Sequence, residues 1–307
     1  MISKILNRKR LLIAIILLVV GYLSVTPDLP LDFLKNKYAA APSKFMALNE
    51  LRIHYRDEGT GDAIVLVHGT GASLHTWDAW AQEMSQTHRV IRLDLPAYGL
   101  TGKDPKKRYS SKDYVDLIDA FLKELDVNQF HLAGNSLGGL VSWLYASYHP
   151  DKVQKLILID PSGFPSTKSP MVISLAKTPG INMLIRYVTP KAFIKKNLKE
   201  VYYNPDLIST QILDRYYELT LAPGNRTAFI DRAKIEREDY TDRLGLITNP
   251  TLILWGAEDA WIPLKNAYRF EEKIATSTVV VMKETGHLPM EEKPAKSLAI
   301  TLDFLSN

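Results

Sequence analysis

The sequence predicts an α/β protein: a mostly parallel, doubly wound sheet with an inserted helical cap. Three observations predict it. Short continuous apolar runs such as Ile64-Val65-Leu66-Val67 alternate with amphipathic helical stretches, as strands buried on both faces require. Strand signals stop between residues 163 and 246, where helical patterning and proline breaks take over. They resume at Thr251-Leu252-Ile253-Leu254-Trp255.

Taken in order, residues 1–26 read as a membrane signal. Lys4, Arg8, Lys9 and Arg10 precede an uncharged run from Leu11 to Thr26, which Pro27 and Asp28 end. A basic stretch before an apolar one marks a secretory signal or a signal-anchor. The run is a little short of the ~20 residues that comfortably span a bilayer. Val19-Val20-Gly21 is a weak cleavage site and Ala39-Ala40-Ala41 lies far beyond the run, so an uncleaved anchor is preferred to a cleaved signal peptide. A buried core helix is the bland alternative, and cations directly before a helix with no polar face argue against it. The positive-inside rule puts residues 4–10 in the cytoplasm and everything after Pro27 on the other side of the membrane, periplasmic or extracellular in a bacterium. Residues 27–44, with Pro27, Pro30, Pro42 and an alanine run, read as a tether.

From Phe45 the texture is that of a folded domain. Leu48, Leu51, Ile53 and Tyr55 flank Asn49-Glu50, as in a short hairpin. Further strands are expected at Ile64–Val67, Val90–Leu93, Phe130–Ala133, Lys155–Ile159, Thr251–Trp255 and Thr278–Met282, with helices over 112–125, 137–148 and 294–305. The core is thus expected over 45–162 and 247–307, and the cap over 163–246.

Composition narrows the function. The chain has 307 residues, 46% hydrophobic and 23% charged, enough to bury a large core and exclude disorder. It has no cysteine, which removes disulfides, thiolate metal sites and cysteine nucleophiles. Of 38 cations, four stand in the first ten residues, leaving 34 against 34 acids. The rest is neutral, so a nucleic-acid footprint is not expected.

The chemistry sits at strand ends. Gly134-Asn135-Ser136-Leu137-Gly138 follows a strand and opens a helix. A serine on so sharp a turn needs small residues two positions either side, and the turn lifts the hydroxyl above the sheet. Composition alone would produce about 0.05 such matches in a chain of this length. A serine needs a base, and the base an orienting acid. His287, in Gly286-His287-Leu288-Pro289, follows the last strand, and Asp259 follows the Thr251–Trp255 strand. The order Ser136, Asp259, His287 suits this type of triad. Asp160 is the rival acid and Glu258 a weaker one. His68-Gly69-Thr70-Gly71 ends the first buried strand, so the amides of Thr70 and Leu137 are candidate oxyanion donors. His68 itself reads as structural.

These segments, together with Asp94-Leu95-Pro96-Ala97-Tyr98-Gly99 and Trp255-Gly256-Ala257-Glu258-Asp259, resemble a cap-bearing α/β-hydrolase over about residues 50–305. The resemblance implies Ser136, Asp259 and His287 as the triad. Haloalkane dehalogenases and epoxide hydrolases use an aspartate nucleophile, and Ser136 argues against both. The Gly-Asn-Ser-Leu-Gly-Gly elbow is similar to that of carbon–carbon bond hydrolases acting on ring-cleavage products. Those usually carry tryptophan after the histidine, and here it is Leu288. The combination of elbow, Gly-His-Leu-Pro and N-terminal apolar segment is more similar to bacterial lipases and esterases of the dehalogenase-like group. Ala97 replaces the family's turn glycine.

Between Gly163 and Lys199 stand seven cations, among them Lys168, Lys177, Arg186 and Lys191, and no acid. Apolar residues interleave with them. One reading is a basic amphipathic surface meeting anionic lipid, its apolar face lining an acyl pocket. The other is a solvated face over a packed core. Met171 and Met183 are pocket or core fillers.

The expectation is a membrane-anchored serine hydrolase of carboxylic esters with an acyl or lipid-type acid. No metal or organic cofactor is implied, and oligomeric state is left open. The alternatives are a carbon–carbon bond hydrolase of ring-cleavage-type diketones, with Arg186 as a candidate carboxylate ligand, and a non-catalytic ligand sensor on the same fold.

Overall fold

The computed structural model describes residues 25–165, 170–236 and 238–307. All but the last two residues of the expected anchor, and Lys168, lie outside them. Among the described residues no helix is long and apolar enough to cross a membrane.

The strands are β1 (Lys44–Leu48), β2 (Leu51–Glu58), β3 (Ala63–Val67), β4 (Arg89–Leu93), β5 (Phe130–Asn135), β6 (Val153–Ile159), β7 (Thr251–Gly256) and β8 (Ser277–Met282). They form one sheet in the order β1-β2-β4-β3-β5-β6-β7-β8. β1 and β2 form the expected hairpin, with Asn49 and Glu50 both at positive φ, and β2 runs antiparallel to β4. Every other neighbouring pair is parallel.

The continuous apolar runs exist because both faces of the sheet are covered. Val65 and Val67 enter one core cluster, Ile64 and Leu66 the other; Leu156 and Leu158 oppose Ile157 and Ile159 in the same way. Each such side chain contributes about 1.5–3 kcal/mol of burial.

The helices, in order, are α1 (Leu31–Tyr38), α2 (Asp78–Met84), α3 (Ser111–Glu124), α4 (Leu137–Tyr148), α5 (Met171–Lys177), α6 (Ile181–Ile185), α7 (Lys191–Val201), α8 (Thr210–Thr220), α9 (Asn225–Ala233), α10 (Lys265–Lys273), α11 (Pro289–Glu292) and α12 (Pro294–Ser306). Residues of α3, α4 and α10 pack in one cluster and those of α2 in the other. Ser110 opens α3 with a reciprocal capping box to Asp113. α5 to α9 lie between β6 and β7.

Residues 27–44 are not a free tether. Leu34 and Tyr38 of α1 are buried against Leu100, Leu219 and Ala222, and Lys37 and Tyr38 both bond to Glu218 of α8 at 2.8 Å. The prolines and alanines concealed an amphipathic pair, Leu34 and Tyr38, at helical spacing.

The chain runs from β3 out to β4 and returns across β3 to β5. The crevice beyond the carboxyl ends of β3 and β5 is therefore the topological switch point, where open α/β sheets bind ligands.

Candidate active site

Ser136 occupies the one-residue corner between β5 and α4. Its backbone stands at φ +56°, ψ −113°, a conformation costing about 1–3 kcal/mol for a residue with a side chain. A Cβ on Gly134 would lie 2.3 Å from the Gly138 carbonyl oxygen, and one on Gly138 would lie 2.1 Å from that of Val67. Neither position admits a side chain, which is why the corner can be so tight. The Ser136 amide donates to Ile159 O at 3.0 Å, and its carbonyl accepts from Ser162 N at 2.9 Å.

Asp259 and His287 meet beside it from the loops after β7 and β8. Asp259 Oδ2 lies 2.6 Å from His287 Nδ1, and Oδ1 accepts from the Trp261 and Ile262 amides at 2.7 and 3.0 Å. This contact places the imidazole proton on Nδ1. Nε2 is sealed from solvent without a partner among the described residues, and His287 and Ser136 line the same cavity. The His287 amide donates to Val201 O at 2.7 Å, and its carbonyl accepts from Asn135 Nδ2 at 3.0 Å.

The rival acids take other parts. Glu258 Oε2 accepts from the Thr285 amide at 2.8 Å, clasping the loop. Asp160 accepts from Gly256 N through Oδ1 at 2.9 Å, while its Oδ2 has no partner. Its ligand atom, that of Asp259 and that of His287 all lie within 4.8 Å of one another. Burial first, then the charge of Asp259, pushes the Asp160 carboxyl well above the usual range. Adjacent buried carboxylates oppose each other's ionisation. Asp160 is the one whose ionisation is held back, and Asp259 is where the donors converge.

Gly69 brings the loop after β3 onto the elbow: a Cβ there would sit 2.9 Å from Asn135 Oδ1 and 3.1 Å from Ser136 Cβ. Thr70 follows, and Leu137 is the first residue of α4. Among the described residues neither amide donates to a backbone carbonyl. The Leu137 amide is one of the orphan donors every helix start presents. His68 is fixed by Gly69 O at 2.7 Å and Leu95 N at 3.0 Å, and burial pushes its pKa down. It is a neutral strut.

Two cavities meet at Ser136. One is apolar, walled by Val172, Ile185, Phe193, Ile194, Leu219 and Phe229. The other is polar, with Tyr109, Ser110, Lys177, Arg232, Glu236 and Asn266. Thr70 and Trp261 line both. Arg186 lines neither; it belongs to a surface cavity with residues 25–28. Met183 is 61% exposed and Met171 accepts from Lys196 Nζ at 3.9 Å; neither is among the residues that line the two cavities at Ser136.

One cluster was missed from sequence. Glu291 accepts from Thr76 Oγ1, Tyr202 OH, Arg215 Nη2 and Tyr216 OH at 2.5–2.9 Å. It knots α7 and α8 to the segment that carries His287. The signal available was an acid pair, Glu291-Glu292, separated from Gly-His-Leu-Pro only by Met290. Its partners, at positions 76, 202, 215 and 216, are too distant in sequence for pattern to find.

A family model for the alpha/beta hydrolase fold matches residues 62–294. The chain belongs to that family. This α/β-hydrolase is 28% identical over 267 residues to a 2-hydroxy-6-oxo-2,4-heptadienoate hydrolase of Pseudomonas putida, covering 84% of the chain and 93% of that relative. It shares its fold with a crystallised meta-cleavage product hydrolase (TM-score 0.74, 23% identity, 86% of this chain and 97% of that one). It also shares its fold with a membrane phospholipase A described as a bacterial virulence factor (TM-score 0.75, 24% identity, 99% and 98%).

Proposed function

We propose that this α/β-hydrolase is a membrane-anchored serine hydrolase of carboxylic esters with an apolar acyl part. The observation that carries the reading is the apolar cavity lined by both Ser136 and His287, whose Nε2 has no partner among the described residues.

In this mechanism Ser136 Oγ attacks the ester carbonyl while His287 Nε2 takes its proton. Asp259 Oδ2 holds the imidazole through Nδ1 and steadies its charged form. The amides of Thr70 and Leu137 receive the oxyanion, a stabilisation of about 3–4 kcal/mol per donor. The intermediate collapses, the alcohol leaves with the proton from Nε2, and Ser136 carries the acyl group. Water, deprotonated by Nε2, then releases the acid and restores the hydroxyl.

The membrane part of the reading rests on where the described chain begins. Thr26 N donates to Tyr187 O at 2.6 Å and Thr189 N to Thr26 Oγ1 at 3.2 Å. Thr26 therefore lies by the residues that follow α6, and Met183 and Leu184 of that helix and Tyr187 after it are more than half exposed. An exposed apolar patch next to an apolar leader suits a bilayer face. The likeness to the membrane phospholipase A, spanning 99% of the chain, is in keeping with this arrangement.

A second reading is carbon–carbon bond hydrolysis of a dienoate by the same relay. The curated relatives favour it over the ester reading, since several are named as 2-hydroxy-6-oxo-dienoate hydrolases. Against it stands the apolar cavity, where Arg226 is ion-paired to Asp28 at 2.6 Å. Arg215, from the neighbouring α8, is likewise ion-paired to Glu291 at 2.7 Å. In its favour, Arg232 of the polar cavity would suit the dienoate's carboxylate. The test is turnover by the full chain of 4-nitrophenyl esters of graded acyl length and of 2-hydroxy-6-oxohepta-2,4-dienoate, beside Ser136→Ala. Serine-dependent ester hydrolysis exceeding dienoate cleavage is expected. The reverse ranking installs the second reading. Serine-independent background on every substrate by folded protein leaves the non-catalytic sensor.

A further inference from the structure

We propose that Arg232 is an anion-binding residue of the active site, selecting esters whose alcohol part carries a carboxylate or a phosphate. The inference rests on the ester reading above for which part of the substrate is the alcohol, and on the cavity alone for the charge.

Arg232 lies in the last turn of α9 and lines the polar cavity together with Ser136 and Leu137. Its Nε is sealed from solvent and has no partner among the described residues. The side chains that face it are the hydroxyl-bearing Tyr98 and Tyr114, not acids. Glu236 lines the same cavity without reaching it, and Glu238 is taken by the Tyr240 hydroxyl. The residues outside the description hold no Asp or Glu, so none of them supplies the missing charge.

Among the described residues, two other arginines of the insertion near the site have a carboxylate partner, Arg215 in Glu291 and Arg226 in Asp28, although Nε and Nη1 of Arg226 are left without one. Removing a guanidinium from water without a counter-charge is costly, and such groups are normally paired. The carboxyl end of its own helix offers about half a charge, which attracts a cation without neutralising it. A planar guanidinium with a free edge is the group that receives carboxylate or phosphate in two parallel hydrogen bonds. With the acyl chain in the apolar cavity and the carbonyl at Ser136, the alcohol part extends into the polar one. That places its anionic group at Arg232.

The test compares three esters of one acid: 1-octanoylglycerol, 1-octanoylglycerol 3-phosphate and carboxymethyl octanoate. Binding is measured calorimetrically to full-length Ser136→Ala in nonionic detergent, with Arg232 intact, Arg232→Gln or Arg232→Lys. Turnover is measured on the same Arg232 series with Ser136 present. The expected result is tighter binding of the charged esters and a fall of about tenfold or more in the charged-to-neutral ratio with Gln. Lys should keep part of the preference. A larger effect on the phosphate than on the carboxylate ester, or the reverse, names the anion. An unchanged ratio with Gln, or parallel losses for neutral and charged esters, overturns the assignment and leaves Arg232 a support for Tyr98. Because binding is read on an inactive background, failure of the esters to turn over refutes the proposed reaction without touching this result.

Discussion

The sheet side and the insertion side of the active site are built on different principles. On the sheet side, Ser136, Asp259 and His287 stand on strand ends, and backbone fixes the first two: a corner with no room for a Cβ at Gly134 or Gly138, and two amides on Oδ1 of Asp259. On the insertion side the walls are short helices. α6 has five residues, and Met183 and Leu184 are 61% and 63% exposed. Polar contacts anchor that side: the knot at Glu291, the bonds of Lys37 and Tyr38 to Glu218, and the His287 amide on Val201 O. Proton transfer tolerates misplacement of well under 1 Å, so its groups are placed on rigid elements. An apolar wall needs only shape, so it can be lighter.

The largest effect should come from the sheet side and should separate the two adjacent acids. Asp259→Asn is expected to lower kcat by about 10⁴-fold, because an amide holds the wrong imidazole tautomer. Asp160→Asn should cost under about tenfold, since the amide oxygen can keep the bond from Gly256 N and the change removes no donor from Asp259. Steady-state kinetics on both variants decide the matter; a larger loss at Asp160 would make it the orienting acid.

Loosening the insertion is the next largest effect. Glu291→Gln leaves Arg215 buried without its carboxylate, at a cost of about 3–5 kcal/mol. Amide exchange should rise across α7 and α8 more than across β5 and β7. Uniform acceleration would mean that the two sides unfold as one unit.

A pH effect of similar size belongs to His75, which ties α1 to the sheet side. Its ring bonds to Tyr38 O at 2.8 Å and Ser73 Oγ at 3.2 Å, and burial pushes its pKa down to about 4. The unfolded chain, with a pKa near 6.5, takes up this proton first. Stability is thus complete above about pH 6.5 and falls as pH drops toward 4, by on the order of 3 kcal/mol. His131, also lowered to about 4, acts in the same direction. The melting temperature of His75→Gln should vary less over this range than that of the parent; an equal slope would assign the effect to other groups.

Sequence patterns revealed one side better than the other for the same reason. Strands buried on both faces must be apolar throughout, and a strained elbow must be flanked by glycine, so β3, β5, β7 and Ser136 were legible. Asp259 and His287 followed from chain order. The choice between Asp259 and Asp160 turned on amide donors that pattern does not display. The knot at Glu291 joins positions more than 200 residues apart in the case of Thr76. Helix α1 was hidden because its apolar face is only Leu34 and Tyr38, and its partners lie in α8 and after β4. The free charge of Arg232 is a property of what fails to reach it, and no local spacing records that.

The smallest expected effect tests how far the sheet side has been relaxed by substitution. Ala97 stands where the family's turn has glycine, and its φ is +81°. The left-handed region costs a residue with a Cβ about 1–2 kcal/mol. Glycine removes that strain but regains conformational freedom in the unfolded chain, which offsets about 0.5–1 kcal/mol. Ala97→Gly should therefore raise stability by a net of about 1 kcal/mol or less, read as a small rise in denaturation midpoint. Ala97 also lines the apolar cavity, fully buried, so the same change widens the acyl wall by one methyl group. A shift of the preferred acyl length toward bulkier chains with little change in kcat would show that the wall is tunable while the relay is not. A loss of kcat instead would mean that the turn after β4 helps hold the relay, and the division between the two sides would fail at that point.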